Sequence, residues 1–408
     1  MARARILFVT YGGGHAQMVV PVARALAASD WAEPVVLGLT TAAKAVRDAG
    51  LPLVQFKDFL GPADAAARRW GERLLREMSG ATIDAEESIA YLGLSFAERV
   101  DELGEAAALD EYRAKGRHAF LPDVTLERIL RRVQPDLVVA TSSPRAEQAA
   151  FIAARRLGIP SVCMIDTFIR DDAKRLGAPG YADAYCVLNE AVAQVLVACG
   201  VRAQQVHVTG NPAFDALLDV RNLERGKALR QSMGWQGRYV VLLPAQNFQP
   251  WHPLTGPWAE HDLPQRLEAV MLRWLERNED AVLCLRPRPG EAAANTPVSD
   301  RAAITGGAEW PLAPLLYAVD AVVTICSTVG MEGRLAGARL VQVLGTPFDA
   351  DTPWLESGIA DRAVELDGVE RALDEIRGLP RHDLAGRHAA TPQVIEVLRE
   401  AVAAAHTQ

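Results

Sequence analysis

The feature that most constrains the fold of this 408-residue chain is a repeated alternation of short apolar runs with longer helical stretches. In the first half, the apolar runs predict strands at 5–10, 34–40, 51–56, 136–141, 161–166, 184–189 and 205–210. Intervening segments show the 3.6-residue period, which predicts helices at 17–28, 41–49 and 144–157. Repeated βα units of this kind are typical of a parallel sheet covered by helices on both faces.

A second series of the same kind begins at residue 238. Its strands are predicted at 238–245, 281–289, 301–305, 321–326 and 339–345, and its helices at 263–278, 311–318 and 329–336. A chain of this length fits two domains. We therefore expect an α/β fold of two doubly wound, Rossmann-like domains facing a cleft, with a polar junction at 212–237. The expected bounds are 1–220 and 221–390, followed by a C-terminal helix at 391–408.

Between Gly61 and Leu121 the alternation stops. This stretch is rich in Ala, Glu and Arg and has few β-branched residues, so it predicts several helices inserted into the first domain. Two interpretations stay open: a helical flap over one edge of the sheet, or a wall for an acceptor substrate.

Composition excludes some classes of function. The net charge of −8 disfavours general nucleic-acid binding. Five cysteines stand singly, without a C-x-x-C pair, which argues against a disulfide framework and a structural zinc site. The opening "MARARILFVT" lacks the apolar region and cleavage site of a signal peptide, and no apolar run is long enough to span a bilayer. We expect a cytoplasmic protein.

A glycine loop follows the first predicted strand in "TYGGGHAQM" at 10–18. In a strand–turn–helix context, Gly13 and Gly14 let backbone N–H groups approach an anion. Because the glycines are consecutive, the loop matches neither the dinucleotide fingerprint nor the P-loop. His15 either caps a tight turn or presents an imidazole of adjustable charge to the cleft.

Other candidates in the first domain stand near predicted strand ends. Asp166 ends "SVCMID" and would act as a general base or cap the next turn. Glu147 is a further acid/base candidate. Asn211 lies in "VTGNPAFDAL", a strand-to-helix turn that on its own could be only the last βα loop.

In the second domain, "LRPRPGE" at 285–291 places Arg286 and Arg288 directly after a strand. Their guanidinium groups could bind phosphate, or they could be solvated arginines on a surface loop. The Trp- and Pro-rich loop at 251–258 is either an acceptor or nucleobase contact or a packed loop, and His252 is taken as structural.

The strongest local signal is "ICSTVGMEGRLAGARLVQV" at 325–343. Ser327 or Thr328 can cap the helix that follows, whose free N–H groups would form an anion site. Glu332 lies one turn later on the same side and could accept the hydroxyls of a ribose. The alternative is a capped helix with an incidental glutamate.

Together these stretches resemble the GT-B superfamily of nucleotide-sugar enzymes. "GGGH" is similar to the glycine loop of the peptidoglycan N-acetylglucosaminyltransferases, and "VTGNPAFDAL" is similar to a stretch of UDP-N-acetylglucosamine 2-epimerases. "STVGMEGRLAGARLVQV" resembles the nucleotide-binding segment of capsule and teichoic-acid transferases. The resemblance implies that the C-terminal domain holds a nucleotide sugar, that the N-terminal domain holds the acceptor, and that no metal is required.

The chain also departs from these relatives. The 2-epimerases carry an essential Asp after the strand that corresponds to "DLVVAT", where this chain has Thr141, Ser142 and Ser143. The loss of that carboxylate disfavours epimerisation. The polysaccharide transferases usually have a histidine between two prolines where this chain has Arg288.

The resulting prediction is a metal-independent glycosyltransferase that moves a sugar from a nucleotide-activated donor to an acceptor hydroxyl, in bacterial surface-polysaccharide or glycoconjugate synthesis. His15 and Asp166 are the catalytic candidates, and the nucleotide sugar is expected to contact Gly13, Gly14, Asn211, Arg286, Arg288, Ser327, Thr328 and Glu332. Two alternatives are a 2-epimerase-like isomerase and a non-catalytic nucleotide-sugar binding protein. The acceptor would be a glycan or a lipid-linked molecule. No cofactor and no nucleic acid is expected, and a homodimer and peripheral attachment to the inner membrane face stay open.

Overall fold

The structure, a computed structural model, describes residues 3–77, 84–170, 172–248, 250–252, 256–288, 301–307 and 309–405. The chain divides into two compact units. The first comprises Met1–Ala213 together with Ala389–Gln408, and the second comprises Phe214–His388. Each unit is built on a parallel sheet, so the predicted class of two Rossmann-like α/β domains is confirmed.

Within the described residues, thirteen strands form the two parallel sheets and two more form a small antiparallel pair. The strands of the first sheet are β1 (Ala4–Thr10), β2 (Ala32–Gly38), β3 (Leu53–Val54), β4 (Leu137–Thr141), β5 (Ser161–Met164), β6 (Ala184–Val187) and β7 (Val206–Val208). Those that follow are β8 (Tyr239–Pro244), β9 (Trp251–His252), β10 (Gly256–Pro257), β11 (Ala281–Arg286), β12 (Ala302–Ile304), β13 (Ala321–Thr324), β14 (Arg339–Val343) and β15 (Arg362–Val364).

The helices pack around these sheets. In the first half of the chain they are α1 (Gly14–Ala27), α2 (Ala42–Asp48), α3 (Ala65–Glu77), α4 (Ala85–Leu103), α5 (Glu105–Lys115), α6 (Asp123–Val133), α7 (Ala146–Leu157), α8 (Ala173–Leu176) and α9 (Glu190–Ala198). In the second half they are α10 (Arg221–Ser232), α11 (Leu263–Arg277), α12 (Leu312–Ala318), α13 (Val329–Leu335), α14 (Val369–Ile376) and α15 (Ala390–Ala405). No described helix is both long and apolar enough to cross a bilayer.

The first sheet runs in the order β3-β2-β1-β4-β5-β6-β7, and β1 at its centre is paired with β2 and β4. All five residues of β4 are buried, as expected for a strand with helices on both faces. One part of the core joins Ile6 and Phe8 of β1 to Met18 of α1 and to Val394 and Leu398 of α15. The last helix of the chain therefore belongs to the first unit, because its apolar face is buried against that sheet.

The inserted stretch 61–121 folds into α3, α4 and α5. Two glycines let α3 and α4 approach closely: a Cβ on Gly71 would lie 2.0 Å from the carbonyl oxygen of Ile89, and one on Gly93 would lie 2.1 Å from that of Ala67. Trp70 and Phe96 then pack with ring centroids 4.8 Å apart. These backbone contacts require glycine at both positions.

The second sheet runs in the order β12-β11-β8-β13-β14-β15. Trp274 of α11 is buried against Val241 and Leu283 in its core. The sequence prediction missed β15, and it treated 251–258 as a loop although β9 and β10 pair there. Residue 289 of the predicted strand 281–289 lies outside the described residues. The stretch 212–237, expected as a polar junction, forms a 3₁₀ turn at Pro212–Leu218 and then α10.

Candidate functional site

The glycine loop after β1 has backbone angles that favour glycine. Gly12 has φ +138°, and a Cβ there would lie 2.4 Å from Oγ1 of Thr41. Gly13, with φ +57°, is the N-cap of α1, and no side chain caps this helix. Gly13 and Gly14 are exposed, with open space where their side chains would be. The first turn of α1 thus presents free N–H groups beside the carboxyl end of β1.

His15 lies in this first turn beside Glu147 of α7. Glu147 is fully buried, and neither of its carboxylate oxygens has a hydrogen-bond partner among the described residues. Burial raises the pKa of Glu147, and the nearby charge of His15 is the strongest influence that lowers it. The backbone N–H of Glu147, the charge of Arg145 and the backbone N–H of Tyr11 also lower this pKa. Nδ1 of His15 is likewise buried and unpaired in the described structure.

Arg145 and Tyr91 complete a polar cluster at this edge. The guanidinium of Arg145 lies 4.5 Å from the ring centroid of Tyr11, and its Nε is buried without a described partner. Tyr91 reaches the same place from α4 of the insertion, and its hydroxyl is also buried and unpaired. Burial raises the pKa of Tyr91; the charge of Arg145 opposes that rise and the charge of Glu147 adds to it.

Asp166 and Asn211 are brought together beyond the next strands. β5 ends at Met164, so Asp166 lies two residues past the strand rather than at its last position. Nδ2 of Asn211 donates to the carbonyl oxygen of Asp166 at 2.9 Å, and its Oδ1 accepts from the N–H of Ala213. Oγ of Ser142 donates to the Asp166 carboxylate over a long 3.4 Å. Asn211 therefore fixes the backbone that carries Asp166.

In the second unit, Arg286, the last residue of β11, and Glu332 of α13 each affect the pKa of the other. Arg286 donates to the carbonyl oxygens of Thr305 at 2.8 Å and Trp310 at 3.0 Å. Burial lowers the pKa of Arg286, and Glu332 opposes that effect. Burial raises the pKa of Glu332 to about 7, against the lowering influence of Arg286. Glu332 therefore titrates near neutrality.

The loop before α13 is held by side chains from β13 and the end of β8. Gln246 accepts from Oγ1 of Thr324 at 2.8 Å and from the N–H of Ile325 at 3.0 Å. Oγ of Ser327 accepts from the N–H of Val329 at 3.4 Å, whereas Thr328 makes no side-chain cap. Thr328 is therefore an N-cap without a side-chain bond, Ser327 supplies the contact to the first turn, and α13 has only seven residues.

The remaining candidates are Arg288 and the loop at 251–258. Arg288 is exposed, two residues beyond β11. Trp258 packs on Phe248 and Phe348 with ring centroids 5.5 and 6.1 Å away, which supports the packed-loop interpretation for this part of 251–258. Within the described ranges, no group of three or more His, Cys, Asp or Glu side chains could hold a metal ion.

Sequence reasoning missed Tyr91, Arg145 and Gln246. Arg145 and Gln246 both lie just past strand ends, where ligands of α/β sheets bind, and that position is a signal that could have identified them. Tyr91 has no such signal, because the fold alone brings α4 of the insertion to this edge. Glu147 was a candidate, but its complete burial is a tertiary property.

No family model matches the chain, and no curated protein sequence matches it significantly. Solved structures do resemble it. The UDP-GlcNAc 2-epimerase of Neisseria meningitidis bound to UDP-GlcNAc has a TM-score of 0.61 at 12% identity, over 97% of this chain and 100% of that one. MnaA of S. aureus in its structure with UDP has a TM-score of 0.59 at 12% identity, over 97% and 96%.

A third similar structure is the UDP-GlcNAc 2-epimerase of Methanocaldococcus jannaschii in complex with UDP-GlcNAc and UDP. Its TM-score is 0.58 at 12% identity, over 98% of this chain and 100% of that one. The chain thus shares the fold of these structures, with two Rossmann-like α/β units. At such low identity the likeness establishes the fold alone, and fold does not by itself fix the reaction.

Proposed function

We propose that this chain is an enzyme that transfers a sugar from a nucleotide-activated donor to an acceptor hydroxyl. The observation that carries the proposal is the position of His15 in the first turn of α1, directly after β1, where its charge acts on the fully buried carboxyl group of Glu147. A histidine at such a strand end can accept a proton from a hydroxyl nucleophile. Structures of the same fold that contain UDP-GlcNAc or UDP support a nucleotide sugar as donor.

In this proposal the second unit holds the nucleotide. Arg286 supplies a guanidinium near Glu332, and the Ser327 loop leads into α13. The carboxylate of Glu332 would accept hydrogen bonds from the two ribose hydroxyls. Arg286, together with the N–H groups of the Ser327 loop, would stabilise the negative charge that develops on the leaving phosphate.

The first unit supplies the base. Nδ1 of His15 is the buried ring nitrogen, so Nε2 is the atom left to accept the proton of the acceptor hydroxyl. As the acceptor oxygen forms its bond to the anomeric carbon, the bond from that carbon to the phosphate oxygen breaks. The proton goes to His15, and the electron pair leaves with the nucleotide. Glu147 would stabilise the imidazolium that results.

The acceptor that we propose is a glycan or a lipid-linked glycan of bacterial surface polysaccharide. The support is the similarity of "STVGMEGRLAGARLVQV" to the nucleotide-binding segment of transferases with such products.

A second candidate is an epimerase acting on UDP-GlcNAc. Two observations favour it: the fold neighbours with that activity, and Asp166, two residues past β5, whose backbone carbonyl accepts from Asn211. Against it, the end of β4 carries Thr141, Ser142 and Ser143 and no carboxylate. Abstraction of the C2 proton would then depend on a single carboxylate at these strand ends.

The experiment begins with the change in melting temperature of the full chain with UDP, GDP, CMP, CDP and TDP. A nucleotide that binds the native state raises the melting temperature by mass action. The sugar derivative of the nucleotide that binds is then incubated with glycan acceptors. His15→Ala should abolish transfer and keep the nucleotide-induced shift, whereas the exposed His118→Ala should change neither.

Two outcomes oppose the proposal. A C2 epimer formed from UDP-GlcNAc alone, followed by NMR, would replace the transferase with the epimerase. The absence of a thermal shift with every nucleotide would exclude both.

A further inference from the structure

Helix α7 and the turn at 178–181 enclose a cavity of about 220 Å³ in the first unit, and this cavity is partly open to solvent. Four of its lining residues share one face of the helix, since they follow one another at helical spacing. They are Gln148, Phe151, Ile152 and Arg155. None of the residues that line this cavity is a candidate for catalysis or for nucleotide binding. The cavity is therefore a separate place in this unit where a ligand could bind.

The wall opposite the helix is held in place by the protein itself. The turn at 178–181 is closed by the N–H of Tyr181, which donates to the first carbonyl oxygen of the turn at 3.0 Å. Its two central residues are proline and glycine, and Gly180 has φ +72°, as a type II turn requires. The buried ring of Tyr181 packs on Phe151 with centroids 5.2 Å apart, and its hydroxyl accepts from Nη1 of Arg175 at 2.8 Å. These contacts fix an aromatic surface inside the cavity.

Arg155 supplies the positive charge of the cavity and is exposed to solvent. Its Nη1 lies over the turn and donates to the carbonyl oxygens of Pro179 and Gly180, both over a long 3.4 Å. Nε and Nη2 of this guanidinium have no hydrogen-bond or ion-pair partner in the part of the chain that the structure describes. These two nitrogens form a planar fork of donors, which matches the two oxygens of a carboxylate.

The rest of the lining determines the body of a suitable ligand. Phe151, Ile152 and the ring of Tyr181 are apolar, and no described residue that lines the cavity is acidic. Aromatic rings pack favourably on such a surface. Pockets for drug-sized ligands measure about 300–1,000 Å³, so this smaller cavity suits a ligand with a single ring. Phosphate is a poor match, because its two charges would meet one guanidinium and an apolar wall.

We propose that the cavity between α7 and the turn at 178–181 binds a small aromatic carboxylate. The ring of the ligand packs on Phe151, Ile152 and Tyr181, and its carboxylate accepts hydrogen bonds from Nε and Nη2 of Arg155. This inference goes beyond the proposed function, because the site uses none of the groups assigned to sugar transfer. It can therefore be tested without a donor or an acceptor.

The test is isothermal titration of the full chain with benzoate. Benzamide, which is neutral and has nearly the same shape, measures the contribution of charge, and inorganic phosphate is an anion without a ring. Arg155→Met removes the guanidinium and keeps an apolar stem. Arg156→Met is the matched control, because Arg156 is the next residue of α7, does not line the cavity and pairs with Asp123 at 2.6 Å. Ile152→Trp places a larger side chain in the cavity.

We expect wild type and Arg156→Met to bind benzoate saturably and with equal affinity. Arg155→Met should bind it about tenfold more weakly, because hydrogen bonds between two charged groups are lost. Wild type should bind benzamide more weakly than benzoate by a similar factor, and phosphate should not bind at this site. Binding of benzoate should be lost in Ile152→Trp, because its indole occupies the space of the ligand ring.

Three outcomes overturn the proposal: no saturable binding of benzoate to wild type, equal affinities of wild type for benzoate and benzamide, or wild-type affinity for benzoate in either Arg155→Met or Ile152→Trp. Melting temperatures establish that each variant is folded. Because Arg155 is exposed, its replacement should leave the fold intact, so this variant decides the test even if tryptophan at position 152 disrupts packing.

Discussion

His15 and Glu147 form an electrostatically coupled pair at the carboxyl end of the first sheet, and the carboxylate of this pair is completely buried. The two residues are 132 positions apart in sequence and meet because β1 and β4 are neighbours in the sheet. α1 begins after the first of these strands and α7 after the second, which places both side chains at one edge.

Replacing Glu147 should separate its roles in stability and in activity. A carboxyl group whose pKa is raised by folding contributes stability below its unfolded pKa, and this is lost as the pH rises through the folded value. Glu147→Gln has no carboxyl group to ionise and does not lose this stability. The difference between its melting temperature and that of wild type should therefore grow in its favour as the pH rises. Transfer activity should fall by about 10²-fold, because glutamine cannot ionise to balance the positive charge that His15 gains when it accepts the proton. Thermal melts at several pH values and initial rates measure both effects, and a variant with full activity would contradict the role given to this pair.

Glu332 should make nucleotide affinity depend on pH. Its pKa is raised to about 7 by burial, so the carboxylate is mostly protonated at pH 6 and mostly ionised at pH 8. Hydrogen bonds to an ionised acceptor are stronger by about 1 kcal/mol, so affinity for the cognate nucleotide should rise about fivefold over this range. The unfolding free energy changes in the opposite direction to the affinity. Because folding raises the pKa of Glu332, the unliganded fold becomes less stable as the pH rises through 7.

Calorimetric titrations at pH 6 and pH 8 check the prediction for Glu332. In Glu332→Gln the affinity should be lower and independent of pH. Glu356→Gln is the control, because Glu356 is exposed and lies in the same unit. An equal pH dependence in Glu332→Gln and wild type would show that another group is responsible.

The three glycines of the loop should tolerate alanine very differently. Gly12→Ala combines φ +138° with a Cβ only 2.4 Å from Thr41 Oγ1, and should cost roughly 1–3 kcal/mol of unfolding free energy. Gly13→Ala meets no atom within 4 Å but has φ +57°, and should cost about 1 kcal/mol. Gly14→Ala meets neither obstacle and should retain wild-type stability. Urea denaturation of the three variants tests this order, which a Gly14→Ala variant as unstable as Gly12→Ala would refute.

Gly93 should be essential for docking α4 on α3. A Cβ at this position would lie 2.1 Å from a backbone carbonyl oxygen, so the helices must separate. We expect Gly93→Ala to destabilise the insertion by roughly 1–3 kcal/mol and to speed hydrogen exchange in α3 and α4. Gly61→Ala is the control, since its Cβ would be 3.6 Å from the nearest atom. Unchanged exchange in Gly93→Ala would mean that the two helices can move apart without loss.

Much of each sheet could be predicted from local pattern. Apolar runs separated by amphipathic stretches indicated the central strands within a few residues. A strand that is buried on both faces consists almost entirely of apolar residues, so its own composition identifies it. β15 escaped prediction because it is an edge strand of only three residues, too short to show an alternating pattern. Its pairing with β14 depends on the neighbouring strand and not on its own sequence.

The candidate residues were chosen mainly from strand ends. Asp166 and Asn211 follow strands closely, and Arg286 is the last residue of β11; strand ends in a parallel sheet share one edge. Glu332 was chosen by its spacing from Thr328 and lies within α13. Thr328 occupies the N-cap position without a side-chain bond, and Ser327 accepts a long bond from Val329, because the backbone angles of the loop decide which bond forms.

By itself, the sequence determined the two parallel sheets and the residues at their carboxyl edges, because strand, helix and turn preferences act over a few residues. Tertiary structure alone decided that α15 returns to the first sheet, that α4 brings Tyr91 near the charges of Arg145 and Glu147, and that Glu147 is fully buried. These features depend on contacts between residues tens to hundreds of positions apart. The same contacts set the burial that moves the pKa values of Glu147 and Glu332, so the electrostatics of the site arise only in the folded chain.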